Sequence, residues 1–189
     1  MAELAAEQER LPEEWVKYLG AIKPEQVRFV LLDPALVVER VCAALLLKAG
    51  AVGLHLRVQE EEPPVEADER LLREALFNLG LNGLEARCFW GGNLTLSLGC
   101  DLDQGGSFLR CRTTAPVSIP INLDHLFDPA FSTSEQGNGY GLSIARRIAH
   151  AHHGELPAKS RVGDGTVFHL DLQVNFEVSH SVVPLQALG

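Results

Sequence analysis

Apolar and polar positions alternate with two different periodicities along this chain, and together these predict interleaved helices and strands. A helix repeats its apolar residues every three or four positions, whereas a half-buried strand repeats them every second position. Helical spacing is found at 33–50, 68–89 and 141–153. Alternating or branched apolar runs predict strands at 27–32, 51–58, 93–101, 107–113, 155–160 and 165–174.

The residues between these segments predict where elements begin and end. Asp33 can cap a helix and Pro34 suits its first position, while Gly50 and Gly154 can end helices. The stretch QEEEPPVEAD (59–68) is polar, holds a proline pair and predicts a connection without a strand.

Helices and strands interleave, but several strands arrive as hairpins, as at LDQGG (102–106). This order predicts an α/β fold, a two-layer sandwich in which a mixed sheet carries helices on one face. We expect a main domain at 25–176, a helical lead-in segment at 1–24 and a tail at 177–189.

The helix predicted at 68–89 carries a polar ridge beside its apolar face. Glu74, Asn78 and Asn82 follow one another at four-residue intervals, so they lie on one slanting line. Such a ridge can be the solvated face of an amphipathic helix. Two asparagines within a helix are unfavourable by propensity, however. Because carboxylate and amide oxygens are ligands of hard cations such as magnesium, an oxygen-ligand role is the alternative.

Three glycines at alternate positions lead into the last predicted helix: Gly137, Gly139 and Gly141. They remove side chains where a backbone could approach a ligand closely. The free N–H groups at the start of the following helix suit a phosphate. An ordinary glycine-rich turn is the alternative interpretation.

The helix after these glycines has one apolar face, formed by Leu142, Ala145, Ile148, Ala149 and His152. We expect His152 to be a structural histidine rather than a catalyst, and His150 and His153 to be surface residues. Arg146 and Arg147 point away from this face, so they are either solvated or contact a phosphate or a partner.

Composition narrows the range of functions. The 189 residues are 46% hydrophobic, enough for a core, and carry a formal net charge of −9. An acidic chain is a poor ligand for nucleic acid. No apolar run approaches the roughly 18 residues of a membrane span, and the N-terminus lacks a signal-peptide core. Four cysteines without a CxxC pair indicate free thiols. We therefore expect a cytoplasmic protein that binds neither nucleic acid nor membrane.

Three segments, in this order, resemble the motifs of one family: REALFNLGLNGLEA, LFDPAFSTSEQGNGYGLSIARRIAHAHHGEL and VGDGTVFHLDL. They resemble the N-box, the phenylalanine box with the second glycine box, and the closing glycine strand of sensor histidine kinase ATP-binding domains. The wider group includes the gyrase B, Hsp90 and MutL ATPases. The resemblance covers roughly 27–175 and implies a Bergerat-type α/β sandwich that binds ATP with magnesium.

The resemblance implies roles for the polar ridge. Asn82 matches the magnesium ligand, and Asn78 matches an asparagine near the phosphates. Glu74 matches the catalytic position that orders water or the phosphoacceptor.

The resemblance also implies a set of further nucleotide-binding residues. These are Thr114, Phe127, Phe131, Gly137, Gly139, Gly141, Leu142 and Thr166. The two phenylalanines resemble the aromatic residues of a lid, which we expect at 120–136. The glycines resemble the turn over the phosphates, and Thr166 resembles the threonine beside the adenine end.

One segment departs from the family pattern. The family carries Asp-x-Gly-x-Gly before the lid, often followed by Ile-Pro, and this Asp accepts the adenine amine. Anchored on the Ile-Pro pair at 119–120, Thr114 stands at the Asp position, and Pro116 and Ser118 replace the glycines. A carboxylate would contribute about 1.5–3 kcal/mol here, against about 1 kcal/mol for a hydroxyl. We therefore expect a reshaped or closed adenine side and an intact phosphate side.

A phosphoacceptor histidine is not found before the candidate domain, because all seven histidines lie at or beyond His55. We therefore expect a separate domain or a stand-alone relative that works with a response regulator or a histidine-containing dimerisation domain or kinase. A homodimer is one option.

Two functions stay open at this point. The chain binds ATP and magnesium and serves phosphoryl transfer to a histidine elsewhere, or it is a degenerate relative that binds nucleotide weakly or not at all. The degenerate relative would be an interaction module of a two-component pathway. A plain ATPase matches the motifs less well. The asparagines and glycines favour the first function, and the lost Asp favours the second.

Overall fold

The computed structural model describes residues 27–49, 54–58, 64–90, 93–101, 106–113, 125–129, 139–161 and 164–173. The lead-in segment predicted at 1–24 and the tail predicted at 177–189 lie outside the described residues. The boundaries expected for the main domain, at 25 and 176, therefore stay predictions.

Seven strands and three helices are found in the described part of the chain. The strands are β1 (Val30–Leu32), β2 (Leu54–Val58), β3 (Val65–Ala67), β4 (Leu94–Asp101), β5 (Gly106–Thr113), β6 (Ala158–Arg161) and β7 (Gly165–Gln173). The helices are α1 (Pro34–Ala49), α2 (Glu69–Trp90) and α3 (Gly141–Ala151). The predicted interleaving of helices and strands is confirmed.

Five of the strands form one mixed sheet in the order β2-β4-β5-β7-β6. The β2–β4 pair is parallel, and the other neighbours are antiparallel. Strands β1 and β3 form a separate antiparallel pair. Together with the three helices, this sheet gives the predicted α/β sandwich.

The core lies between the five-stranded sheet and the helices. Every second residue of β4 and of β7 is buried, namely Leu94, Leu96, Leu98, Phe168, Leu170 and Leu172. The residues between them are only half-buried, so one face of the sheet carries the helices, as predicted. Among the described residues, no helix has the length and apolar content needed to cross a bilayer.

Short polar side chains begin two of the helices. The Asp33 carboxylate accepts the N–H of Ala35 at 2.8 Å, at the start of α1, as the sequence predicts. Asp68 begins α2 in the same way, because its Oδ1 accepts the Leu71 N–H at 3.1 Å. Its Oδ2 also accepts the Arg28 N–H at 3.0 Å, which ties the segment before β1 to α2.

The sequence missed β3. Val65, Glu66 and Ala67 lie in the stretch predicted to be a connection, yet they pair in register with Leu32, Leu31 and Val30. The strand is only three residues long and follows two prolines, so its apolar–polar–apolar alternation is too short to indicate a strand. Its pairing with β1 and the burial of Val65 and Ala67 explain it, and both are tertiary effects.

Candidate functional site

Helix α2 places the polar ridge at the edge of the core. The apolar face predicted by helical spacing comprises six residues, of which Ala86 is half-buried and the other five are buried: Leu72, Ala75, Leu76, Leu79 and Gly83. Glu74, Asn78 and Asn82 are half-buried. The ridge therefore lies at the border between core and solvent, where a polar side chain can reach a ligand.

The start of α3 lies against this ridge. Gly141 is the first residue of α3, and a Cβ atom built on it would lie 3.4 Å from the Asn78 amide oxygen. That is the edge of ordinary van der Waals contact, so a longer side chain at 141 would press on the amide. The missing side chain thus lets the α3 backbone and the Asn78 amide lie side by side.

The backbone before α3 has a shape that favours glycine. Gly139 has φ of 70°, in the left-handed region that residues with a Cβ rarely adopt. Tyr140 stands at the N-cap position but makes no side-chain cap hydrogen bond within the described residues. The first N–H groups of a helix have no carbonyl partner inside the helix, and such donors suit an anion.

The Phe127 turn (residues 125–129) lies on the other side of α3. Leu126 is buried, and the Phe127 ring packs edge-on against Phe168 of β7, with ring centroids 6.4 Å apart. The guanidinium carbon of Arg146 lies 5.1 Å from the centroid of the Phe127 ring. Sequence reasoning left Arg146 between a solvated role and a binding role, and no spacing signal connects it to Phe127.

Of the two threonines expected at the adenine end, Thr166 lies in β7 and Thr114 lies outside the described residues. Thr166, at the start of β7, pairs across the sheet with Thr113, the last residue of β5. Thr166 is buried, and its hydroxyl lies 3.0 Å from the Ser160 hydroxyl. Thr113, the last described residue before Thr114, therefore lies beside Thr166.

The C-terminal end of α3 is closed by a buried histidine. His152 is 2% exposed, its Nε2 accepts the Asp68 N–H at 3.0 Å, and its Nδ1 donates to the Ile148 carbonyl at 2.8 Å. Both ring nitrogens are thus used by the neutral tautomer. Burial lowers the pKa of His152, outweighing the Ile148 and Asp68 contacts that would raise it. The prediction of a structural histidine is confirmed.

The Asp68 carboxyl beside this histidine stays ionised. Burial acts to raise its pKa, but the N–H groups of Arg28 and Leu71 and the charge of Arg70 act against burial. The net result is a pKa below the usual range for an aspartate. Asp68 and His152 together fix the start of α2 to the end of α3.

The helix predicted over 141–153 and ended by Gly154 ends at Ala151 in the structure, and the left-handed residue after it is His153, with φ of 60°. Gly154 is needed for a different reason: a Cβ atom there would collide with the backbone oxygen of Asp171 on β7. The exposed His153 ring stacks on Phe29, with centroids 5.9 Å apart and planes 9° apart.

The outcome differs among the predicted site residues. The structure brings Asn78 and Gly141 together, and Asn82 follows Asn78 one helical turn along α2. Leu142 is buried in the core, so its backbone N–H is what it can offer a ligand. Glu74 is half-buried on the same ridge, and its catalytic role stays a prediction. Three predicted residues lie outside the described part: Thr114, Phe131 and Gly137.

The expected lid at 120–136 is described only at 125–129. Its extent therefore stays a prediction.

A family model described as "Histidine kinase-, DNA gyrase B-, and HSP90-like ATPase" matches residues 67–175, more than half of the chain. The chain belongs to this family. It is 26% identical to the sensor histidine kinase ZraS of Escherichia coli over 174 residues, which covers 91% of this chain and 37% of ZraS. It is 29% identical to sporulation kinase E of Bacillus subtilis over 123 residues, covering 65% of this chain and 16% of that kinase. The chain thus spans less than two-fifths of these relatives.

Solved structures agree with the family assignment. Full-length ShkA, solved in complex with AMPPNP, matches with a TM-score of 0.71 at 22% identity, covering 82% of this chain and 33% of ShkA. The nucleotide-free catalytic domain of the histidine kinase ThkA matches with a TM-score of 0.66 at 25% identity. That match covers 78% of this chain and 96% of the ThkA domain, so the fold is that of a histidine kinase catalytic domain.

Proposed function

We propose that this chain is an ATP-binding domain of two-component signalling, which binds ATP with magnesium and serves phosphoryl transfer to a histidine on a separate domain or chain. The observation that carries the proposal is the contact between Gly141 and the Asn78 amide. Two features that the sequence separates by more than sixty residues meet there, one polar and one without a side chain.

The residues at this contact suit a triphosphate and its metal ion. Gly139 and Gly141 leave room for phosphate oxygens beside backbone N–H groups, and the N-terminal end of α3 favours negative charge. Asn82 offers an amide oxygen, the type of ligand that magnesium takes together with phosphate oxygens. Bound magnesium would neutralise charge on the phosphates, which is its usual contribution to phosphoryl transfer.

The chain's own residues would position the reactants. Asn78 would orient the phosphates against the first turn of α3. Glu74, on the same ridge, would hold the incoming histidine or an ordered water by hydrogen bonding. The relative ShkA was solved with AMPPNP, a nucleotide, which supports a nucleotide role for this fold.

The receiving histidine would come from a dimerisation domain or another kinase, and a response regulator would be the next partner in the pathway. The matched relatives include sensor histidine kinases such as ZraS. We place this phosphoryl transfer in the cytoplasm, where ATP is available. A homodimer of the chain is compatible with it.

Calorimetric titration of the purified chain with ATP, with magnesium and with a chelator, tests the proposal. Saturable binding that requires magnesium is expected. Asn82→Ala should weaken it by about tenfold or more, since a metal ligand is lost. Glu85→Ala is the matched control, because Glu85 is exposed three residues further along α2 and should leave binding unchanged. Absence of heat and of thermal shift at several millimolar ATP would contradict the proposal.

A second candidate function rests on the altered adenine segment. Thr114, Pro116 and Ser118 stand where the family carries an aspartate and two glycines. A domain with a closed base pocket would keep the fold and act as an interaction module in the same kind of pathway. Thr114→Asp with Pro116→Gly distinguishes the two functions. About tenfold tighter ATP binding would assign the defect to the base pocket alone, whereas no binding in either protein would favour the interaction module.

A further inference from the structure

Arg146 and Phe127 form a contact for which the sequence gives no reason. Phe127 is half-buried, its ring stands at 79° to the Phe168 ring, and the guanidinium carbon of Arg146 lies over it, 5.1 Å from the centroid. A cation over an aromatic face is attracted by the ring quadrupole. Arg146 itself is exposed, so the contact places a charge on the solvent side of a ring that the core holds from the other side.

The neighbouring arginine provides a natural comparison. Successive residues of a helix point about 100° apart, so Arg147 cannot reach the same ring when Arg146 does. Arg147 is equally exposed, and within the described residues it makes no ring contact, hydrogen bond or ion pair. The two side chains have the same chemistry and the same helix, and they differ in what they touch.

The contact joins two parts of the candidate site through one rigid element. Helix α3 carries Gly141 against Asn78 at its first residue and Arg146 over Phe127 five residues later. Five residues of helix rise about 7.5 Å, and the buried face of α3 holds it in the core. The Phe127 turn is thereby fixed relative to the backbone that faces Asn78.

We propose that Arg146 is a positioning residue. It holds the Phe127 turn against α3 and so fixes the position of that turn relative to Gly139 and Gly141, on the phosphate side of the site. This inference rests on the proposed function for its effect on nucleotide. The hold on the turn itself is independent of any ligand.

Amide hydrogen exchange of the nucleotide-free protein tests the hold. The Asp128 N–H donates to the His125 carbonyl at 3.0 Å, so its exchange reports opening of the Phe127 turn. Arg146→Ala should raise the Asp128 exchange rate about two- to fivefold, the size expected for an exposed cation–aromatic contact. Arg147→Ala, the matched control, should leave it unchanged.

Two further variants separate charge from bulk. Arg146→Lys keeps a cation and should restore most of the protection, whereas Arg146→Gln keeps length without charge and should not. In a Phe127→Leu background the Arg146→Ala effect should vanish, because the ring that the cation faces is gone. Equal exchange in Arg146→Ala and Arg147→Ala, or equal behaviour of the Lys and Gln variants, would overturn the proposal.

Titration with magnesium and ATP provides the second readout. Arg146→Ala should bind about two- to fivefold more weakly than Arg147→Ala, at an unchanged thermal midpoint. A looser turn with unchanged affinity would overturn the positioning role. If no protein binds nucleotide, including the unmodified chain, the proposed function fails. The exchange rates then decide alone whether Arg146 holds the Phe127 turn.

Discussion

The two ends of helix α3 are built in opposite ways. At its N-terminus, Gly139 and Gly141 lack side chains, and the half-buried Asn78 amide lies beside the backbone. At its C-terminus, His152 is buried with both ring nitrogens hydrogen-bonded. At one end the helix backbone lies beside a half-buried amide, and at the other end a buried imidazole joins α3 to Asp68, which begins α2.

Residue types that are common in active sites do not by themselves mark the candidate site of this protein. The AHHG sequence at the C-terminal end contains adjacent titratable side chains, which is typical of many active sites. The NGYG sequence at the N-terminal end contains only one large side chain. The geometry nevertheless makes the histidine end structural, and it leaves the glycine end as the candidate site.

The largest expected effect comes from removing the buried histidine at the C-terminal end of α3. His152→Ala removes the acceptor of the buried Asp68 N–H and the ring donor to the Ile148 carbonyl, and it leaves a cavity, so the free energy of unfolding should fall by about 3 kcal/mol. Denaturant titration measures this. His150→Ala, at an exposed neighbouring position, should change stability by less than about 0.5 kcal/mol. Similar losses in both variants would contradict the structural role.

Substitutions at the N-terminal end of α3 should change the affinity for nucleotide rather than the stability of the fold. Gly141→Val would press its branched side chain on the Asn78 amide and should weaken magnesium–ATP binding by about tenfold or more, through steric displacement. Gly141→Ala is the graded comparison. Its Cβ fits at 3.4 Å from the amide oxygen, so it should weaken binding less. Equal affinity of both variants and the unmodified chain would exclude this contact from the site.

A smaller effect is expected at the residue after α3. His153 has φ of 60°, and an ordinary side chain pays about 1 kcal/mol in this region relative to glycine. His153→Gly should therefore be about 1 kcal/mol more stable than His153→Ala, since both variants lose the ring that stacks on Phe29. Thermal unfolding of the pair measures the difference. A more stable alanine variant would contradict the left-handed backbone.

The pH dependence of stability should come from His152 and Asp68, at the C-terminal end of α3. The folded-state pKa of His152 lies below its ordinary value, so the unfolded chain binds the proton more readily. Stability should be complete above about pH 6.5 and decline as pH falls below it. Asp68, whose pKa is also lowered, adds a loss at lower pH, below the ordinary aspartate value. His152→Gln should flatten the decline below pH 6.5, whereas His150→Gln should retain it.

Elements with their own sequence signal were predicted well. The Asp33 cap, the amphipathic face of α2 and the apolar face of α3 follow from spacing and capping chemistry, and the structure confirms them. The burial of His152 followed from its place on an apolar face. The spacing of apolar residues within one segment is enough to predict which side of a helix is buried, because each of these helices packs one face on the core.

Features that depend on two distant segments were missed. Strand β3 exists because it pairs with β1, and the Arg146 contact exists because a turn near 127 folds over α3. The left-handed position fell on His153 although glycine follows it, because Gly154 is needed where the backbone passes close to Asp171. The periodicity of apolar residues within one segment does not indicate contacts between segments that are distant in the sequence.

We propose that the phosphate side of the site is retained while the adenine side is altered, and a ligand without a base distinguishes these two sides. Magnesium tripolyphosphate should displace magnesium–ATP from the chain with a Kd within about fivefold of that of ATP, a difference of about 1 kcal/mol. Asn82→Ala should weaken both ligands to the same extent. Binding of ATP that about a hundredfold excess of tripolyphosphate does not displace would show that the phosphate side does not hold the nucleotide.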